Sequence, residues 1–114
     1  MSRKTRPISW IKAARKEFER FPDEVQLEIE LALTIAAEGG KADTAKPMTG
    51  LGAGVFEIAL RFRRDAYRAV YALHIGRVIW VVHTFQKKSK FGIKTPQLEI
   101  NVIRQRIKRL KEML

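Results

Sequence analysis

The sequence contains no cysteine. Disulfide frameworks, thiolate zinc sites and cysteine nucleophiles are excluded together, and the chain is expected in a reducing cytoplasm. No apolar run approaches the roughly 20 residues needed to cross a bilayer. The opening Met1–Arg6 is basic but leads into no apolar signal core, so no membrane role is expected. Two histidines and scattered carboxylates give no ligand spacing for zinc or a two-metal site, so no metal is predicted. A phosphate-cradling loop is also missing. Gly50-Leu51-Gly52-Ala53-Gly54 leads into a strand rather than a helix, and its glycines suit a bend before a sheet. No nucleotide cofactor is therefore predicted. Acidic residues are scarce: 12 Asp and Glu stand against 23 Lys and Arg, for a formal charge of +11 and a pI near 10.5. A field of that sign engages nucleic acid, anionic membrane or an acidic protein, and RNA is the foremost expectation.

What is present fits one folded domain over residues 1–114, with 46% hydrophobic residues. Ile8–Ile11 reads as a short edge strand. Ile11, Ala14 and Phe18 recur at helical spacing, and Pro22-Asp23-Glu24 opens a second amphipathic helix that ends at Gly39-Gly40. Residues 39–54 read as a loop. Three antiparallel strands follow: Val55–Arg63, Ala66–Ile75 and Val78–Phe85, with turns at Arg64-Asp65 and Gly76-Arg77. Thr95 as cap and Pro96 in the first turn start a last helix with Ile100, Ile103, Ile107, Leu110 and Leu114 on one stripe. The class is α+β: an antiparallel sheet packed by an N-terminal helical hairpin and a C-terminal helix.

Strand alternation predicts an apolar face of Phe56, Ile58, Leu60, Phe62, Tyr67, Tyr71, Leu73, Val78, Trp80 and Val82 against the hairpin. The opposite face mixes Val70, Ile79, Val81 and Phe85 with Glu57, Arg61, Arg63, Arg68 and His83. Metal-free RNA cleavage needs a base for the 2′-hydroxyl, cations for the charged phosphorane and an acid for the leaving oxygen. Arginines hold phosphate bidentately, and a histidine titrates near neutrality. Lys87, Lys88, Lys90 and Lys94 follow the last strand, and Arg104 stands among the basic residues of the last helix. Structural readings remain open beside these. Glu57 with Arg61 also reads as a surface ion pair, His83 as a hydrogen-bonded structural residue, and the lysine run as a solvated loop.

Gly54-Val55-Phe56-Glu57-Ile58-Ala59-Leu60-Arg61, Tyr67-Arg68-Ala69-Val70-Tyr71, His83-Thr84-Phe85-Gln86-Lys87-Lys88-Ser89 and Thr95-Pro96 before a basic helix resemble the RelE/ParE toxin superfamily. Within it the phage-derived HigB-like branch is the nearest likeness, running from Trp10 to the C-terminal helix. The resemblance implies a RelE-like fold and the toxin of a type II toxin–antitoxin module. It implies a ribosome-dependent mRNA endonuclease that works without metal and is neutralised by a cognate antitoxin, often a helix-turn-helix repressor. The implied catalytic set is Glu57, Arg61, Arg68, His83 and Lys87. Lys88 belongs to the basic run the resemblance matches, and Arg63, Lys90, Lys94 and Arg104 are added as candidate RNA contacts on charge. A ParE-like gyrase inhibitor and a nonenzymatic RNA-binding protein are the alternative expectations.

Overall fold

The computed structural model describes residues 5–87 and 94–114. They form β1 (Ile8–Trp10), α1 (Lys12–Phe18), α2 (Asp23–Ala37), β2 (Ala45–Pro47), β3 (Val55–Phe62), β4 (Asp65–Ala72), β5 (Ile79–Lys87) and α3 (Gln97–Met113). The strands make one sheet in the order β1-β5-β4-β3-β2, in which only the β1–β5 pair is parallel. The α+β architecture with a helical hairpin and a C-terminal helix is as expected. The hairpin covers one face, where Phe18, Val25, Ile29 and Leu33 bury against Ile58, Tyr67, Tyr71, Ile79 and Val81. On the other face, Ile103, Ile107 and Leu110 of α3 close over Val55, Val70, Ala72 and Val82.

Several expectations are corrected. Residues 39–54 are not wholly a loop: Ala45–Pro47 pairs antiparallel with β3. Three residues ending in proline carry no alternation to reveal an edge strand. The tight turn is Arg63-Arg64, since Phe62 pairs with Asp65. Arg63 adopts φ 59°, the left-handed value that two-residue hairpin loops require at their first position. The connection from β4 to β5 is longer than a tight turn. It is held by Arg6, whose guanidinium donates to the carbonyls of Leu73, Arg77 and Val78.

The phase of β5 is also corrected. Ile79 and Val81 face the hairpin core, whereas Trp80 and Val82 face α3, and Val78 precedes the strand. Residues 78–82 are all apolar, so hydrophobicity cannot set their phase; pairing does, with Ala72 opposite Trp80. A bulge then intervenes. Tyr71 pairs with Val81 but Val70 pairs with His83, leaving Val82 as an extra residue in β5. The bulge carries His83 and Phe85 onto the α3 side, where strict alternation from Val81 would have turned them toward the hairpin.

Candidate functional site

Register places the predicted catalytic residues in rows across the α3 side of the sheet. Glu57, Val70 and His83 share one row, Ala59, Arg68 and Phe85 the next, and Arg61, Ala66 and Lys87 the third. Glu57 and His83 are two strands apart, roughly 10 Å between backbones. One face therefore carries Glu57, Arg61, Arg68, His83 and Lys87, joined by side chains from the α3 segment.

Two polar clusters organise this face. In the first, Arg68 Nη1 lies 3.3 Å from Glu57 Oε1, with side chains only 9% and 14% exposed. The other carboxylate oxygen, Oε2, accepts from the Thr95 hydroxyl. Thr95 was expected to cap α3; instead Pro96 occupies the N-cap position without a side-chain bond, and Thr95 turns to Glu57. Arg68 must be read as the anchor of Glu57 as well as a cation.

In the second cluster, His83 Nε2 is 2.7 Å from Glu99 Oε1 and its Nδ1 is 3.0 Å from Arg106 Nη1. Arg106 Nη1 also donates to the Val82 carbonyl at 2.9 Å. A guanidinium has donors only, so Nδ1 accepts, Nε2 carries the proton, and Glu99 receives it. Burial pushes the His83 pKa below its ordinary value; the Glu99 hydrogen bond opposes this, Arg106 reinforces it, and Glu99 and Glu17 charges oppose it. Burial likewise lowers Arg106, against the pull of Glu99. His83 is thus neutral with a defined tautomer. His83 also stacks on Phe85, with ring centroids 5.2 Å apart. A cleft of about 340 Å³ opens beside this cluster, between α1 and α3, and is lined by Glu17, His83, Gln86, Glu99 and Arg106 among others.

The remaining predicted residues scatter. Arg61 is exposed at the outer part of β3, where it also borders a depression shared with Glu24 and Glu28 of α2. Lys87 donates to the Lys94 carbonyl. Lys94 and Arg104 are exposed. Arg63 does not join the arginine face: it sits in the turn, its guanidinium 5.2 Å from the Phe62 ring, in a depression bordered by Asp23 and Glu24. Lys88 and Lys90 lie outside the described residues. Thr95, Glu99 and Arg106 are absent from the site predicted from the sequence. A signal existed for two of them, because Glu99, Ile103 and Arg106 fall on one helical face and Ile103 is buried.

Both tyrosines, Tyr67 and Tyr71, belong to the hairpin core. Helix α3 carries Arg104, Arg106, Lys108, Arg109 and Lys111, whereas α2 has Asp23, Glu24, Glu28 and Glu30 and no Lys or Arg. The positive excess is thereby kept off α2. Among the described residues no helix is long and apolar enough to cross a membrane.

No curated protein matches the chain by sequence. The free-state structure of an E. coli RelE toxin variant with two arginines changed to alanine is similar at TM-score 0.63 and 19% identity, covering 92% of this chain and 97% of that one. The isolated E. coli RelE toxin gives TM-score 0.58 at 17% identity, covering 88% and 97%. The toxin–antitoxin complex RelBE2 from Mycobacterium tuberculosis contains a chain matched at TM-score 0.51 and 15% identity, covering 77% and 98%. These likenesses establish a RelE-like fold. The profile of the family described as "Phage derived protein Gp49-like (DUF891)" matches residues 16–108. Spanned by that profile over most of its length and folded as RelE toxins are, the chain belongs to the phage-derived Gp49-like family.

Proposed function

We propose that this protein is the toxin of a type II toxin–antitoxin module and acts as a metal-independent, ribosome-dependent mRNA endonuclease. The observation that carries the reading is the gathering of carboxylate, imidazole, guanidinium and ammonium groups on one face of a RelE-like sheet. That set contains what 2′-hydroxyl attack on a phosphodiester demands: a proton acceptor, cations for the phosphorane and a source of protons. Arg61, Arg68 and Lys87 supply positive charge from adjacent rows, Lys94 and Arg104 add exposed cations for the RNA backbone, and Lys88 and Lys90 are proposed as further contacts from the sequence alone. Two carboxylates, Glu57 and Glu99, are the candidate acceptors on this face.

Its partners on this reading are ribosome-bound mRNA and an antitoxin, in our reading of HigB-like type with a helix-turn-helix repressor, both met in the cytoplasm. Support for an antitoxin comes from the RelBE2 likeness, a toxin solved with its antitoxin. The test is reconstitution: purified protein is added to mRNA alone and to mRNA on programmed ribosomes, with and without chelator. Cleavage only on ribosomes and indifferent to chelator supports the proposal. Intact mRNA in every arm contradicts it.

A further inference from the structure

A general base must offer a lone pair to the hydroxyl it deprotonates, within about 3 Å. Glu57 is poorly placed for this. Arg68 occupies Oε1, Thr95 occupies Oε2, and the side chain is only 14% exposed. Glu99 differs on each count. Among the described residues only its Oε1 is engaged, by the N–H of His83; its side chain is 30% exposed, and it lines the cleft between α1 and α3. Behind it, Arg106 fixes His83 and is itself held on the Val82 carbonyl.

We infer that Glu99, rather than Glu57, accepts the proton in the RNA-cleaving reaction, with His83 and Arg106 as positioning residues. This rests on the endoribonuclease reading above. In the step, the 2′-oxygen bonds to phosphorus as its proton passes to Glu99. The bond from phosphorus to the 5′-oxygen breaks, and that oxygen takes a proton from water. The hydroxide left behind recovers the proton held by Glu99. The products are a 2′,3′-cyclic phosphate and a 5′-hydroxyl end, with the carboxylate restored. The guanidinium of Arg106 lines the same cleft, so a phosphorane formed there would develop its charge near a cation that also fixes His83. The charged and titratable groups facing Glu99 and His83 are Arg106 from α3 and Glu17 from α1.

His83 bears the orientation of Glu99. Because Nδ1 accepts from Arg106, the N–H on Nε2 has one direction, and it holds one carboxylate oxygen so that the other is left to the substrate. The burial that keeps His83 neutral preserves this arrangement near neutral pH.

The test uses the full chain on programmed ribosomes, reading single-turnover cleavage across pH. Glu99→Gln is expected to lower the rate at least about a hundredfold, to keep ribosome binding and the thermal midpoint, and to remove the acid limb of the pH–rate profile. Glu57→Gln keeps that limb. Arg106→Ala slows cleavage, and its imidazole ¹⁵N spectrum changes from one tautomer to a mixture. If Glu99→Gln unfolds, Glu99→Asp carries the test, since withdrawing the carboxylate by one methylene should slow cleavage at least about tenfold. Parental rates in a folded Glu99 variant overturn the assignment and leave the endonuclease reading standing. A folded parent protein that leaves ribosomal mRNA whole overturns both.

Discussion

Arg106 donates to Nδ1 of His83 at 3.0 Å, so the imidazole accepts on one nitrogen and carries its proton on the other. A second proton on Nδ1 would set two donors against each other. Burial adds to this, and the folded-state pKa of His83 lies below the ordinary 6.5.

The consequence for stability has a definite sign. Above pH 6.5 both folded and unfolded states hold His83 neutral. As pH falls below 6.5, the unfolded chain binds a proton that the folded chain refuses, and stability declines until the folded pKa is reached. Urea unfolding at stepped pH is expected to show this loss in the parent and a smaller one in His83→Asn. Equal pH dependence in the two would contradict the buried neutral imidazole.

The Glu57–Arg68 pair is nearly enclosed, so removing Arg68 leaves a buried carboxylate short of its cation. Arg68→Ala should cost roughly 3 kcal/mol, because among the described residues Glu57 then keeps only the Thr95 hydroxyl. The double change Glu57→Gln with Arg68→Met should cost clearly less than the single one, which denaturant melts can establish. A near-zero cost for Arg68→Ala would show that the pair is solvated.

Gly54 sits at φ +76°, and a Cβ there would meet the His74 ring at 2.3 Å. Gly54→Ala should therefore destabilise by more than about 1 kcal/mol. Adding His74→Ala should recover the steric part of the loss but not the part due to backbone conformation. Full recovery in thermal melts would mean that the conformation is not strained.

Arg61 and Lys87 test the cationic reading separately from cleavage. Each changed to Ala should reduce the slope of log affinity against log salt for single-stranded RNA by about 0.7. Filter binding over a salt series measures this. An unchanged slope in both would remove these residues from the RNA contact.

Much of this arrangement was legible in the sequence, for identifiable reasons. The alternation of β3 is strict because one face meets the hairpin core and the other is polar, so Glu57 and Arg61 were assigned to a common side without pairing information. Arg68 followed from the same rule on β4. The position of His83 came out right for a reason the alternation does not contain. It reaches the α3 side through the bulge at Val82, and an uninterrupted β5 with Val81 in the hairpin core would have buried it there. Thr95 before Pro96 has the local chemistry of a cap, and only the tertiary approach of Glu57 redirects its hydroxyl. Glu99 and Arg106 look like ordinary helix charges until His83 is known to stand between them. Contacts that join residues far apart in the chain leave no periodic trace.

On the proposed function, this protein cuts messengers on the ribosome. Mapping RNA 5′ ends after a brief induction tests it most directly. The account predicts new 5′-hydroxyl ends within ribosome-engaged codons, abolished when the antitoxin is co-expressed. Messengers that stay intact while growth stops, above all with DNA breaks of the kind a gyrase poison produces, would contradict it.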